Sequence, residues 1–573
     1  MYEYKICGNT NHTNGKRGVN VFLKIIFRKL SFWIKRINMQ KQLQAAGQED
    51  GGQRMPTVMQ APPVEPSSAL AEKLEDIHGR LENCADMVIR KLDAGGTQCA
   101  ICFIDGLVNP EAINTALLRP LLEFGERCAN EGKPLDGQRL AESVLQGSEV
   151  KREGDIGAAI SACMVGDTAL LVDGLADVII VNTKGWDKRS VSEAQSEAVI
   201  RGPREGFTEN LRTNTALLRR RIKSAQFKMK NIEIGTQTKT AVCMAYIEGI
   251  ADPRTVSKVE YRLKKLDVDS ILDSGYIEEF IEDAPFAIFP TVGYTEKPDV
   301  AAARILEGRI AIVVDGSPFV LTAPMLFVES FQTAEDYYTR PLYGSFTRLM
   351  RFIAFFMAIF GPAIYIALVS FHQEFIPTTL LFSIADTKEG TPFPAAIETL
   401  IMVFSFELLK EAGIRLPKAV GQAISIVGAL VMGEAAVSAG FVGAPLVITV
   451  ALTGVAGFVI PEQNEPIAIM RVVALLFAAC LGGFGIAVCF LGMLIHLSTL
   501  ESFGVPYYSS ALLTRNRQDM YIRFPLWAMT KRPDGLALGN VKRRKFFVPP
   551  LRPHADEPEM PIMKELEKRW QQE

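Results

Sequence analysis

Histidine is scarce: five residues in 573, at positions 12, 78, 372, 496 and 554, with no metal-ligand spacing among them. No G-x-S-x-G nucleophile elbow occurs, and Gly8 to Lys16 is not a phosphate loop, because six residues separate Gly8 from Gly15 and Arg17 stands where Ser or Thr is required. Nothing in these motifs points to an enzyme, a metal or a cofactor. Nine cysteines lack the dense regular spacing of a disulfide-stapled secreted domain, so a reducing compartment fits better. Cys99 and Cys102 form a lone C-x-x-C inside a strand-like run, which reads as buried thiols. There is also no charge excess: 62 basic side chains against 64 acidic ones leave a formal net charge of -2, without the basic surplus that a nucleic-acid binder needs to neutralise phosphates.

Charge is missing locally in a more telling way. Residues 352–371 carry none, 419–460 carry only Glu434, and 467–500 carry only Arg471 and His496. About twenty apolar residues cross a hydrocarbon core of roughly 30 Å, so these stretches read as membrane spans rather than a buried soluble bundle. The mean hydropathy of +0.14 therefore averages two unlike regions. The simplest count is four spans, at 352–371, 419–438, 442–460 and 467–499. The last is longer than one crossing needs and implies tilt or a helix projecting into water. Arg340, Arg348 and Arg351 precede the first span, and 501–550 holds nine basic residues against three acidic ones, so both ends are expected on the cytoplasmic side and loop 461–466 outside. Residues 395–414 are apolar but include Glu398, Glu407, Lys410 and Glu411. They read as an interfacial or re-entrant helix, with a true span as the alternative.

The first 38 residues hold eight basic side chains and one acidic. Over 21–37, Lys24, Arg28, Ser31 and Lys35 share one helical face, which suits an anionic membrane surface; the plain alternative is that Met39 is the start. Residues 39–68, rich in Gln, Gly and Pro, read as a flexible linker. From 71 to 340 the composition is that of mixed α/β units, and it contains an echo. ICFIDGLVNP at 101–110 matches MAYIEGIADP at 244–253 in Ile104/Ile247, Gly106/Gly249 and Pro110/Pro253, an offset of 143. Gly166, Ala169, Val172, Asp173 and Gly174 match Gly308, Ala311, Val314, Asp315 and Gly316 at 142. Two similar subdomains follow, 71–200 and 225–340, each opening with a strand and closing with a Val-Asp-Gly hairpin. The connector 201–224, RGPREGFTENLRTNTALLRRRIKS, carries seven basic residues. It is either a solvated helix with internal ion pairs or a contact for acidic lipid or a neighbouring subunit through Arg219, Arg220 and Arg221.

The fold class is thus a duplicated α/β soluble N-terminal domain (1–70 amphipathic segment and linker, then both subdomains), an all-α polytopic membrane domain at 341–500, and a basic cytoplasmic tail at 501–573. Charges in lipid are costly unless they face protein or water, so Glu434, beside small residues, is the leading candidate for a pore or gate, with a structural carboxyl as the alternative. Glu407, Glu398 and Arg471 follow, and Pro362 frees a backbone carbonyl within its helix.

Long phrases then carry a resemblance. They include RGPREGFTENLRTNTALLRRRI (201–222), YIEEFIEDAPFAIFPTVGYTEKPD (276–299), LEGRIAIVVDGSP (306–318), ESFQTAEDYYTR (329–340), FHQEFIPTTLLFSIA (371–385), FELLKEAGIRLP (406–417) and GQAISIVGALVMGEAAVSAG (421–440), with GVPYYSS and FPLWAMTKRP in the tail. Over about 75–550 the chain resembles the A subunit of the GerA family of spore germinant receptors. The resemblance implies a spore inner-membrane protein that triggers germination in response to a nutrient. It further implies work with a transporter-like B subunit that holds the germinant and a lipoprotein C subunit, and oligomers that form a gated ion channel. A scaffold without a pore, or a related channel subunit that amplifies the signal, are the alternatives.

Overall fold

The computed structural model describes residues 69–132, 135–145, 149–185, 193–415 except 195 and 198, 431–508, 519–533 and 536, 537, 540, 542 and 543. The basic N-terminal stretch, the 39–68 linker, the start of the 419–438 span and the end of the tail lie outside the described residues.

Alternating apolar residues build two five-stranded sheets, each covered by helices on both faces. Lobe 1 runs α1 (Leu70–Arg80), β1 (Met87–Ala94), β2 (Thr97–Ile104), α2 (Arg119–Glu131), β3 (Val150–Glu153), α3 (Ile156–Cys163), β4 (Thr168–Val172) and β5 (Val178–Val181), in the sheet order β1-β2-β4-β5-β3. Lobe 2 runs α4 (Leu211–Arg221), β6 (Phe227–Ile234), β7 (Thr240–Ile247), α5 (Pro253–Lys264), α6 (Ser274–Ile281), β8 (Gly293–Thr295), α7 (Pro298–Leu306), β9 (Ile310–Val314) and β10 (Val320–Ala323), in the order β6-β7-β9-β10-β8. Every named strand pair is antiparallel, and the two orders are the same. The period of two sends Cys99 and Ile101 of β2 to the α2 face, and Ala100, Cys102 and Ile104 to the face covered by α1 and α3.

The repeated phrases occupy equivalent places. Gly106 and Gly249 follow β2 and β7 with φ of 82° and 79°, and Gly174 and Gly316 follow β4 and β9 with φ of 83° and 88°, a region that favours glycine. The aspartates before the latter pair share a second task. Asp173 Oδ1 accepts from the backbone N–H of Leu70 at 2.9 Å, and Asp315 Oδ1 accepts from Leu211 N–H at 3.0 Å, so each ties down the first turn of its lobe's opening helix. Each lobe therefore begins with a helix rather than a strand, and a further strand follows the Val-Asp-Gly turn. The connector of the sequence reading contains α4, the opening helix of lobe 2.

Beyond lobe 2 the chain is helical: α8 (Pro341–Ser370), α9 (Thr378–Glu389), α10 (Ala395–Arg415), α11 over 431–438, α12 (Ala444–Phe458) and α13 (Asn464–Thr499). Among the described residues, two helical stretches are long and apolar enough to cross a membrane, Pro341–Ser370 and Pro461–Thr499. The 15-residue α12, about 22 Å long at 1.5 Å per residue, is shorter than the 442–460 span expected for it.

Helix α13 is not one rod. Gly482 has φ 58° and ψ -137°, outside any helix, and Gly485 packs on the carbonyl of Phe477, eight residues back, which in a continuous helix would lie about 12 Å away. The chain reverses at Gly482, giving a hairpin of 464–481 and 483–499. This replaces the tilted single span of the sequence reading. Its tip meets the C-terminal end of α8, since a Cβ on Gly482 would stand 2.7 Å from the Phe371 ring. Replacing Gly482 with Ala meets both the forbidden dihedral and that ring, so G482A is expected to lose about 2 kcal/mol or more. A lowered melting temperature of the detergent-solubilised protein is the readout; an unchanged one contradicts the hairpin.

Both ends of the hairpin return to lobe 2. Gln463 Nε2 donates to Ser330 Oγ at 2.7 Å, and Glu462 stands 3.6 Å from Arg304. After the hairpin, Ser502 Oγ donates to the Thr291 carbonyl at 2.6 Å and accepts from Met325 N–H at 3.0 Å. Loop 461–466 thus sits on the same side as the soluble lobes, not on the far side, because its polar groups find partners there. Helix α10 also differs from expectation. Its Ala395 and Val403 pack with Tyr365, Ile366 and Val369 near the far end of α8, while Lys410 reaches Asn464 at the near end. It runs beside α8, α12 and α13 through the same depth rather than lying across them.

Candidate functional site

Proline 362 supplies the starting point. It has no N–H, so the carbonyl of Ala358, four residues earlier, loses its helical partner. Arg471 Nε donates to that oxygen at 2.8 Å. Arg471 Nη1 donates to Glu407 Oε1 at 2.5 Å, and Lys410 Nζ lies 3.7 Å from Glu407 Oε2. Three elements, α8, α10 and α13, therefore converge on one carbonyl, two cations and one carboxylate. The Arg471 side chain is 4% exposed and Glu407 30%, so the pair is sheltered on one side and open on the other. Burial makes the pairing stringent on the arginine side, since Arg471 has no water to replace its partners.

Of the residues singled out in the sequence, Glu407, Arg471 and Pro362 meet here. Glu434 does not, because it lies exposed on α11. Glu398 is wholly buried in the first turns of α10, towards the far end of the bundle.

The arginine run of α4 divides. Arg219 is 0% exposed and holds Asp86 of lobe 1 by a fork, Nε to Oδ2 at 2.8 Å and Nη2 to Oδ1 at 2.9 Å. Its Nη1 donates to the carbonyls of Ser224 and Phe227, and the guanidinium lies 4.8 Å from the Phe227 ring centre. Arg219 cannot contact lipid, because it is sealed between the lobes. Arg220 and Arg221 both reach Glu205, at 3.4 and 3.0 Å. Beside them, segment 83–85 pairs with β6: Ala85 N–H donates to the Met229 carbonyl and Met229 N–H to that of Asn83.

A second cluster joins lobe 2 to the helices. Asp336 accepts from Arg348 Nε at 3.2 Å and from Arg351 Nη1 at 2.9 Å, and Arg348 Nη1 also donates to the carboxylate and carbonyl of Asp519 at 3.0 Å. Phe331 stacks on Phe352 with ring centres 4.0 Å apart. Sequence reading used Arg348 and Arg351 only as orientation signals. The acidic partners lie 12 and 171 residues from Arg348 along the chain, and the nearer one alone, Asp336 ahead of the helix, was a readable sign.

Near this junction burial pushes the Glu278 carboxyl up to about 7, with Glu282, Glu465 and Asp273 adding charge of the same sign. Between its ordinary value of 4.5 and about 7 the folded protein holds a proton that the unfolded chain releases. That contribution is fully present below 4.5 and is lost as pH rises through about 7. Melting temperature should therefore fall across this window, and E278Q should flatten the fall; an unaltered profile contradicts the assignment.

Residues 75–535 match the family profile described as the Bacillus/Clostridium GerA spore germination protein. The uncharacterised membrane protein YfkQ of Bacillus subtilis (strain 168) is 45% identical over 486 residues, covering 84% of this chain and 93% of its own. Spore germination protein KA of the same organism is 41% identical, covering 84% and 89%, and GerLA of Bacillus cereus is 38% identical, covering 82% and 95%. Among solved structures, the N-terminal domain of the A subunit of the Bacillus megaterium spore germinant receptor GerK3 is 36% identical, covering 46% of this chain and 98% of that domain, with a TM-score of 0.38.

Proposed function

The chain belongs to the GerA family of spore germination proteins, which gives it a role in germination, and from that premise we propose that it is the A subunit of a nutrient germinant receptor in the spore inner membrane. In this reading it crosses the bilayer several times with both termini on the core side, works with a transporter-like B subunit and a lipoprotein C subunit, and oligomerises around a gated ion conduit. The observation that carries the conduit is the Arg471–Glu407–Lys410 group on the Ala358 carbonyl. A charged cluster in an apolar bundle is costly and is retained where ions or a gate need it. Glu407 and Arg471 are the proposed gate elements and Pro362 the break that exposes their backbone partner. Ile448, Leu452 and Val455, exposed at helical spacing on α12, supply a face for lipid or another copy, whereas the exposed Glu434 on α11 calls for another subunit or water.

The test is conductance. Purified protein with its two partners in planar bilayers should pass monovalent cations when nutrient is added, and R471Q should alter gating. Silence under all conditions would leave the subunit a scaffold.

A further inference from the structure

At the far end of the bundle, Glu398 is 0% exposed and neither carboxylate oxygen has a hydrogen-bond partner. The hydroxyl of Tyr365, on α8, is also buried without a partner, and it lies within electrostatic reach of Glu398. Thr399, the neighbouring hydroxyl, is spent on the Ala395 carbonyl at 2.6 Å. Lys388 of α9 lies within electrostatic reach of the carboxylate, yet no ion pair joins the two. Buried carboxylates are normally paired or bind a cation, because the bare charge is strongly disfavoured away from water. The two orphan groups come from different helices, which pack together here through Tyr365 and Ala395, and they do not bond each other, so one occupant reaching both would satisfy them.

We propose that Glu398 and Tyr365 form a binding site for a monovalent metal cation, with Lys388 as the fixed charge that competes with it. Hard oxygen donors suit such an ion. A divalent ion would call for more carboxylates, and among the described residues no three His, Cys, Asp or Glu side chains come together in the way a metal needs. Glu398 stands in the first turn of α10, where the positive end of the helix dipole favours a negative side chain. The inference rests on the conduit reading for its physiological meaning only, as binding and conduction are measured separately.

Sodium itself is the probe, followed by 23Na NMR line broadening on the detergent-solubilised full chain, with potassium as competitor. Saturable broadening is expected, weakened about tenfold or more in E398Q, in line with the loss of a charged ligand, and less in Y365F. K388Q should bind several-fold tighter, since it removes a competing charge. That last variant separates the proposal from a structural carboxyl balanced by Lys388, which predicts no saturable broadening in the parent and its appearance only in K388Q. No saturable broadening in the parent protein, unchanged binding in a folded E398Q, or weaker binding in K388Q each overturns the site. Sodium binding lost in E398Q, from a protein that never conducts, upholds the site and removes the conduit reading. If E398Q does not fold, Y365F and K388Q carry the same decision.

Discussion

Replacing Arg219 with Ala should destabilise the protein by about 3 to 5 kcal/mol, the usual cost of leaving a buried partner charge unpaired. Asp86 would lose both arms of the fork, and the carbonyls of Ser224 and Phe227 would lose their donor. Chemical unfolding of the solubilised protein, or proteolysis at the junction between the lobes, reads the effect. R219K should recover little, because an ammonium cannot present two parallel donors to one carboxylate. A loss below about 1 kcal/mol, typical of an exposed ion pair, would show that the lobes are held together without the fork, by packing and by the pairing of 83–85 with β6.

The second large effect is expected at Arg471. R471A strands Glu407 beside Lys410 and leaves the Ala358 carbonyl without a donor, so about 3 to 5 kcal/mol should be lost. Two further variants make the prediction specific. Joint replacement of Glu407 and Arg471 by Leu should be milder than either single truncation, since the buried cation and its carboxylate go together and Lys410 keeps Asn464 as a partner. P362A restores an N–H four residues after Ala358, so P362A/R471A should be more stable than R471A by about 1 kcal/mol, the net worth of one hydrogen bond. Thermal unfolding in detergent measures all four proteins. A double variant no better than R471A would mean that the carbonyl is satisfied in some other way.

The duplication was legible because its turns need special chemistry. An Asp-Gly after an apolar strand constrains both residues, so Asp173–Gly174 and Asp315–Gly316 kept their identity while the helices between them diverged. The carbonyl freed by Pro362 was legible for the same reason, since proline's missing donor is local covalent chemistry. The partner that fills it was not, because Arg471 arrives from 113 residues away. Arg219 was misread for a related reason: composition places it in a basic run, and only tertiary structure puts Asp86 in front of it. The α13 hairpin was hidden by hydropathy, which registers apolarity but not direction. Leu481 to Gly485, LGGFG, was the overlooked sign, because three glycines in four positions weaken a helix where no caps mark its end. Helix α10 misled through its charges, which the bundle meets with Arg471 and Asn464 rather than by keeping the helix at an interface.

The three places where the helical region meets lobe 2 have a mechanical consequence. The start of α8 is bolted at Asp336, the turn before α13 at Ser330 and Arg304, and the chain after it at Thr291 and Met325. A plate hung from one cord can swivel, but one hung from three cannot. Lobe 2 is therefore fixed to the bundle as its headpiece, and lobe 1 is joined to that headpiece through the Arg219–Asp86 fork and the pairing of 83–85 with β6.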